Sequence, residues 1–261
     1  MNYETESIKR NAGLSKQSSG LRAVNLTWRA ISSSRARLRD YRKLRRQVSE
    51  LKLATARSRN LGDTFDEVQR FEVFRSDQRR MEFLQFLDLL SKDPPGFLLE
   101  IGSRRGGTLF QMARNCAPDG TIISIDLELT WVRAKVHQHL GSGNQRIVCV
   151  RGNSRSPQTI ARVKSALRGN QLDCLFIDGD HSHSGVTADF ANYAPLVRPG
   201  GIIAFHDIVP DHKSRYGFET ESYTGDVPQY WQAIKAEHRG TVDEFVEDPN
   251  QDGFGIGVIR V

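Results

Sequence analysis

Apolar residues recur every three or four positions in the first third of the chain, which is the spacing of an amphipathic helix. One such pattern runs from about residue 21 to residue 59, with arginines on the other faces. A second runs from about residue 65 to residue 90 and stops at an Asp-Pro-Pro-Gly break over residues 93–96. These spacings predict two long helices before the first strand.

Short apolar runs alternate with helical patterns after this break. The runs have the length of buried strands and lie at residues 97–101, 121–126, 146–150, 172–178 and 201–206. The helical patterns between them lie at residues 107–115, 156–168 and 184–196. Repeated strand–helix units predict an α/β fold, with a doubly wound, mostly parallel sheet that carries helices on both faces. A helix at 227–238 and strands at 241–246 and 253–261 predict a closing hairpin.

The net charge of +6 is unevenly distributed along the chain. Residues 1–60 carry 15 Lys and Arg against 4 Asp and Glu, whereas residues 61–261 carry 22 against 27. We therefore divide the chain into a basic N-terminal extension, residues 1–60, partly disordered and partly helical, and a main domain, residues 61–261. The extension could bind nucleic acid or an anionic surface, but packing on the domain or on a second copy of the chain is favoured.

Two classes of protein are excluded by the apolar pattern. No run of about 18 apolar residues is present, so we expect no transmembrane segment. The N-terminus lacks the apolar stretch of a secretory signal, so we expect a cytoplasmic protein.

A glycine-rich turn follows the first predicted strand. Because glycine lets a backbone approach a ligand closely, this turn is a candidate binding site. Arg104 occupies the place where the dinucleotide pattern needs a second glycine, so a nucleotide without a pyrophosphate fits better. Glu100 at the strand end suits a positively charged ligand. The candidate binding residues of this segment are Glu100, Gly102, Ser103, Gly106, Gly107 and Thr108.

The next two strands end in further candidate nucleoside ligands. Asp126 lies 24 residues beyond Gly102, where a nucleoside-binding sheet places the acid that accepts both ribose hydroxyls. Asn153 and Ser154 follow the third strand, where they either bond the adenine or cap the next helix.

The fourth and fifth strands end in acids and histidines. Parallel strands bring their carboxyl ends to one edge, so we expect Asp178, His181, His206 and Asp207 to converge. Asp178 and Asp207, with His206 as a possible third ligand, suit a hard divalent cation such as Mg²⁺. A metal-bound hydroxyl has a lowered pKa, and His181 is placed to take its proton.

Three motifs in this order resemble a known family. They are Leu99–Gly102 with Gly106–Thr108, Asp178–Ser182, and Pro199–Asp207. Together they are similar to the class I methyltransferases of the cephalosporin-hydroxylase and macrolide-sugar O-methyltransferase group, from about Gln78 to the C-terminus. The resemblance implies a seven-stranded sheet with an antiparallel last strand, S-adenosylmethionine as methyl donor, with Asp178 among its contacts, and Mg²⁺ at the acceptor site. It further implies a small-molecule hydroxyl acceptor, such as a sugar or a natural product.

Comparison with catechol-type O-methyltransferases, which are more distant, aligns Asp178 and the His206–Asp207 pair with metal ligands. It aligns His181 with the catalytic base. Two alternatives stay open: a catalytically inactive scaffold that retains the fold, and a nucleic-acid-binding methyltransferase that uses the basic extension. The polar stretch at residues 208–226 has the length of a lid over the acceptor.

Overall fold

The computed structural model of the chain describes residues 34–261. The predicted disorder and the first part of the predicted basic helix fall in residues 1–33, outside the described residues. Residues 34–55 are helical and form α1. In the part of the chain that the structure describes, every helix is too short or too polar to cross a membrane.

The compact unit that carries the sheet runs from Leu44 to Val261. Within it, Val48 and Leu51 of α1 are fully buried. The Lys52 ammonium donates to the carbonyl of Gly141, which lies far along the chain. The last turns of α1 are therefore part of the folded unit, and the functional division after residue 60 stays a prediction.

Two helices, α2 (Leu61–Arg70) and α3 (Arg80–Lys92), replace the single helix expected at residues 65–90, so that prediction was wrong in its continuity. The chain turns after residue 70, where the Phe74 amide donates to the Phe71 carbonyl, and Phe74 is fully buried. Burial of the Phe74 side chain thus stabilises the turn more than the helical spacing of the sequence stabilises a continuous helix. As a result, residues 71–79 leave the helix, and residues 75–79 form one wall of the cleft described below.

The seven strands form one sheet in the order β3-β2-β1-β4-β5-β7-β6. They are β1 (Phe97–Ile101), β2 (Thr121–Asp126), β3 (Arg146–Arg151), β4 (Leu172–Ile177), β5 (Val197–His206), β6 (Val242–Phe245) and β7 (Ile256–Arg260). The first five are parallel, whereas β7 is antiparallel to both β5 and β6. The predicted fold class, including the antiparallel last strand, is confirmed.

The remaining helices cover the sheet. They are α4 (Gly107–Ala113), α5 (Trp131–His137), α6 (Pro157–Leu167), α7 (His183–Tyr193), the five-residue α8 (His212–Tyr216) and α9 (Val227–Glu237). Successive residues of β4 show why helices lie on both faces: Phe176 packs on Phe86 of α3, whereas Ile177 belongs to the core that includes Trp231 of α9. Sequence analysis missed α5, whose seven residues follow a Thr130 N-cap.

Candidate active site

A cleft of about 980 Å³ lies at the carboxyl ends of the parallel strands. Its walls come from the turns that follow β1, β2, β3, β4 and β5, together with residues 75–79 and two C-terminal segments. β1 and β4 are neighbours at its centre, where the strand order reverses. Ligands of open α/β sheets bind at such a point.

The glycine turn after β1 is tightly built. Gly102 has a φ of +94°, and a Cβ placed there would lie 1.8 Å from the carbonyl oxygen of Asp178. A Cβ on Gly107 would lie 1.8 Å from the carbonyl oxygen of Phe74. A side chain at Gly102 would push the ends of β1 and β4 apart, and one at Gly107 would displace the Phe74 segment, so close backbone approach requires both glycines.

Most of the other turn residues predicted from the sequence also line the cleft, namely Ser103, Gly106 and Thr108. The Ser103 hydroxyl is buried and has no protein partner, which leaves it available to a ligand. Glu100 departs from this pattern, because its side chain is fully buried and is not part of the cleft wall. Burial, and then Asp178 and Asp126, raise the pKa of Glu100 well above its usual value. The structure therefore does not place a negative charge at Glu100 for a cationic ligand.

Asp126 is fixed at the end of β2 by two backbone amides. Its Oδ2 atom accepts from Arg104 at 2.6 Å, and its Oδ1 atom accepts from Glu128 at 2.8 Å. Each carboxylate oxygen has lone-pair capacity for another donor. Asp126 can therefore accept two neighbouring hydroxyl groups from a ligand in the cleft.

Asn153 and Ser154 both line the cleft after β3. The N-cap of α6 is Ser156, whose hydroxyl accepts from the Thr159 amide, so helix capping does not occupy either predicted residue. The Asn153 side chain accepts from the Arg155 amide and closes a local turn. Both residues therefore lie at the cleft, and their contact with a ligand stays a prediction.

Two carboxylates face each other where β4 and β5 end. The outer oxygen of Asp178 accepts from Gln78 at 3.2 Å, and the outer oxygen of Asp207 accepts from the Phe254 amide at 3.2 Å. The inner oxygens, Asp178 Oδ1 and Asp207 Oδ2, lie 3.9 Å and 3.4 Å from His181 Nε2. Two like charges held this closely repel each other, which favours either a cation beside them or a proton on one carboxylate.

Asp178, His181 and Asp207 each offer one donor atom, and these atoms all lie within 4.8 Å of one another. The set fits a divalent ion, because it combines carboxylate oxygens with one imidazole nitrogen. His206 lies outside this set, although its Nδ1 atom is 3.2 Å from both inner oxygens. It is only 4% exposed. His181 and His206 thus both lie beside the inner oxygens, and the assignment of His206 as a metal ligand and of His181 as the base stays a prediction.

A backbone contact orients His181. Its Nδ1 atom lies 2.7 Å from the carbonyl oxygen of Tyr223, which can only accept, so Nδ1 carries the proton. The Nε2 lone pair of the neutral ring then faces the two aspartates. The Tyr223 ring stacks on His181 at 5.8 Å between ring centres. The chain at residues 223–226 is bound to this histidine as well, since the Asp226 amide donates to the His181 carbonyl.

The charges of this cluster shift the pKa values of its members in the direction opposite to the effect of burial. Burial alone would raise the pKa of Asp178, but His206 and His181 outweigh it and lower this pKa. Burial would lower the pKa of His181, but Asp178 and Asp207 raise it. For His206 too, burial is outweighed, and Asp207 and Asp178 raise its pKa well above the usual value. The two carboxylates therefore stabilise positive charge at their centre.

The acceptor side of the cleft was not predicted from the sequence residue by residue. Gln78 bonds Asp178 across 100 positions of sequence. Phe254 has a φ of +62°, an unusual value for a residue with a side chain, and the Arg79 guanidinium lies 5.3 Å from its ring centre. Neither residue belongs to a local motif. Only the Gly253–Gly255 pair around Phe254 hinted at a turn of unusual geometry.

Parts of the chain are similar in sequence to known proteins. Residues 99–208 match the model of a family described as a methyltransferase domain. Over 139 residues the chain is 31% identical to nocamycin O-methyltransferase of Saccharothrix syringae, which covers 53% of this chain and 45% of that relative. The chain thus spans less than half the length of this curated relative.

Solved structures with the same fold include two O-methyltransferases. One, from Bacillus cereus in complex with SAH, has a TM-score of 0.57 and 14% identity, and covers 82% of this chain and 97% of its own. The other, TomG from Streptomyces achromogenes in complex with SAM, has a TM-score of 0.54 and 15% identity. This match covers 77% of our chain and 89% of TomG. Residues 99–208 thus resemble a methyltransferase domain, and the solved structures show that the chain has the same fold, as its motifs led us to expect.

Proposed function

We propose that this protein is an S-adenosylmethionine-dependent O-methyltransferase that acts on a hydroxyl of a small molecule with the help of a divalent cation. The observation that carries the proposal is the convergence, in one cleft, of a nucleoside-type carboxylate, Asp126, with the cluster formed by Asp178, His181 and Asp207. The first suits the donor, and the second suits an acceptor hydroxyl.

In this proposal the donor lies over the glycine turn. Asp126 accepts the two ribose hydroxyls, and Asn153 and Ser154 bond the adenine. Gly102 and Gly107 let the glycine turn pack directly against the backbone of Asp178 and Phe74, which gives the donor site its shape. Asp178, at the end of β4, adjoins both the donor and the acceptor parts of the cleft.

Asp178 and Asp207 hold the cation through their inner oxygens, and His181 removes the proton. A bound divalent cation supplies positive charge that lowers the pKa of a hydroxyl beside it. As the acceptor oxygen bonds the methyl carbon, the carbon–sulfur bond breaks and its electron pair stays on sulfur. The hydroxyl proton moves to His181 Nε2, so the products are the methyl ether, S-adenosylhomocysteine and a protonated histidine.

The acceptor wall favours a polar molecule. It is formed by Arg75–Arg79, Glu221–Tyr223, Asp252 and Phe254, so charged and hydroxyl groups surround two aromatic rings. Such a surface suits a sugar or an oxygen-rich natural product. The relative named for nocamycin supports a natural-product acceptor.

Calorimetric titration with S-adenosylmethionine tests the donor site. Wild type should bind, Asp126→Asn should bind at least about tenfold more weakly through the loss of charged hydrogen bonds, and the exposed control Asp119→Asn should match wild type. Absence of binding in wild type would refute the methyltransferase proposal and leave the inactive scaffold as the better hypothesis.

An acceptor screen tests the chemistry. Methyl transfer from labelled donor to sugars and natural-product hydroxyls is measured with Mg²⁺ and with EDTA. Transfer that requires the metal supports the proposal. Equal transfer in EDTA would remove the cation from it while leaving the methyltransferase assignment intact.

A further inference from the structure

A buried carboxyl group outside the cleft controls the segment that connects β6 to β7. Glu82, in the first turn of α3, is 1% exposed. Its oxygens accept from the Gly255 amide at 2.8 Å, the Gln251 side chain at 2.6 Å and the Glu247 amide at 3.2 Å. All three donors belong to residues 247–255, more than 160 positions away in sequence.

The same segment reaches the cation-binding cluster. Phe254 and Gly255 both have left-handed φ angles, +62° and +84°. In this conformation their consecutive backbone amides donate hydrogen bonds to two different carboxylates. The Phe254 amide donates to Asp207 Oδ1, and the Gly255 amide donates to Glu82 Oε2. The segment is therefore held between a residue of α3 and a proposed metal ligand.

The conformation of Asp207 depends on this contact. Asp207 has a φ of +63°, so its own backbone is unusual, and it is only 7% exposed. The Phe254 amide fixes its outer oxygen, which leaves the inner oxygen directed at His181 Nε2. If residues 254 and 255 move, Asp207 loses the donor that sets the direction of its carboxylate.

We infer that Glu82 is a positioning residue for the metal site: it fixes Phe254 and Gly255, and through them the orientation of Asp207. This inference rests on the proposed function, because it takes Asp207 as a metal ligand. Groups that hydrogen-bond directly to a metal ligand, as the Phe254 amide does to Asp207, typically change metal affinity by 10- to 100-fold when they are removed. Glu82 acts without contact with the metal, the donor or the acceptor.

Glutamine is the substitution that tests the inference. Glu82→Gln keeps the size of the side chain but replaces one acceptor oxygen with an NH₂ donor. All three partners of Glu82 are hydrogen-bond donors. In either orientation of the glutamine amide, its NH₂ group therefore faces at least one of these donors. The matched control is Glu247→Gln, which changes the same residue type in the same segment. The Glu247 side chain faces Arg79 and the Met81 amide, and its own amide still donates to Glu82.

Mn²⁺ is titrated calorimetrically against wild type and both variants, with the electron paramagnetic resonance of bound Mn²⁺ as a second readout. Donor binding is measured in EDTA. We expect Glu82→Gln to bind Mn²⁺ about tenfold or more weakly, with an altered spectrum, while donor affinity and the Glu247→Gln control remain as in wild type. A merely structural role of Glu82 would weaken donor and metal binding together.

Three results would overturn the inference: a folded Glu82→Gln with wild-type Mn²⁺ affinity, an equal loss of donor binding, or an equal loss in Glu247→Gln. If Glu82→Gln does not fold, Gln251→Ala decides, since it removes one of the three donors; unchanged Mn²⁺ affinity there would count against the inference. Failure of wild type itself to bind Mn²⁺ would refute the metal part of the proposed function instead.

Discussion

Asp189 of α7 is a buried acid that should reduce the stability of the protein at neutral pH. It is fully buried, and neither carboxyl oxygen has a hydrogen-bond donor in good geometry. Burial raises its pKa to about 6, although Ser154 and Arg155 partly offset the effect. We predict that Asp189→Asn, which removes the charge at nearly constant volume, stabilises the folded protein above pH 6.

The magnitude follows from the pKa difference. A pKa raised from the ordinary 3.8 of an aspartate to about 6 corresponds to about 3 kcal/mol, at about 1.4 kcal/mol for each unit of pKa. Because the asparagine amide must also be desolvated, we expect a gain of about 1–3 kcal/mol at pH 8. For a chain of this size that is a rise in Tm of roughly 2–10 °C.

The sign of the pH dependence is a stricter test than the magnitude. The folded state keeps the proton up to pH 6 while the unfolded state releases it near pH 4, so wild-type stability falls as pH rises between these values. The gap between Asp189→Asn and wild type should therefore be small at pH 4 and fully open above pH 6. Urea denaturation at several pH values measures this gap. A gap that is constant with pH, or a variant less stable than wild type at pH 8, would refute the reasoning.

Other substitutions probe the turn, the base and the packing. Gly102→Ala should abolish donor binding in calorimetry because its Cβ meets a backbone carbonyl at 1.8 Å, whereas Gly169→Ala, with a similar φ of +86° and no atom within 4 Å, should cost only about 1 kcal/mol of stability. His181→Ala should lower kcat by about 10²- to 10⁴-fold with Mn²⁺ affinity retained; a loss of Mn²⁺ affinity would instead identify His181 as a metal ligand. Trp231→Phe should destabilise the protein by about 1–3 kcal/mol in urea, since it leaves a cavity and breaks the 2.6 Å bond from the indole to Glu244, and an unchanged midpoint would contradict this.

Periodic patterns and strand ends were the features that sequence analysis predicted well. Strands of a parallel sheet are continuous apolar runs, and the polar residue after each run must lie at one edge, so Asp126, Asp178 and Asp207 could be brought together without coordinates. Local chemistry was enough for these positions.

Features that depend on distant contacts were missed. The break between α2 and α3 arises from the burial of Phe74 beneath the start of α4. The sequence has no glycine or proline there from which the break could be predicted. Glu100 occupies a strand end like the other acids, yet its side chain is buried beneath the turn, and burial could not be inferred from its position. The orientation of the His181 ring beside the aspartates likewise depends on the Tyr223 carbonyl, 42 residues away.

The position of β7 between β5 and β6 has a consequence for biosynthesis. Because β5 pairs on one side only with the last strand of the chain, a ribosome must release residues 256–260 before the sheet can close. Until then the amide of Phe254 cannot reach Asp207, so a nascent chain can pair β1 to β5 while the Asp207 side of the cleft is still incomplete. The cleft is therefore completed only after residues 256–260 have left the ribosome.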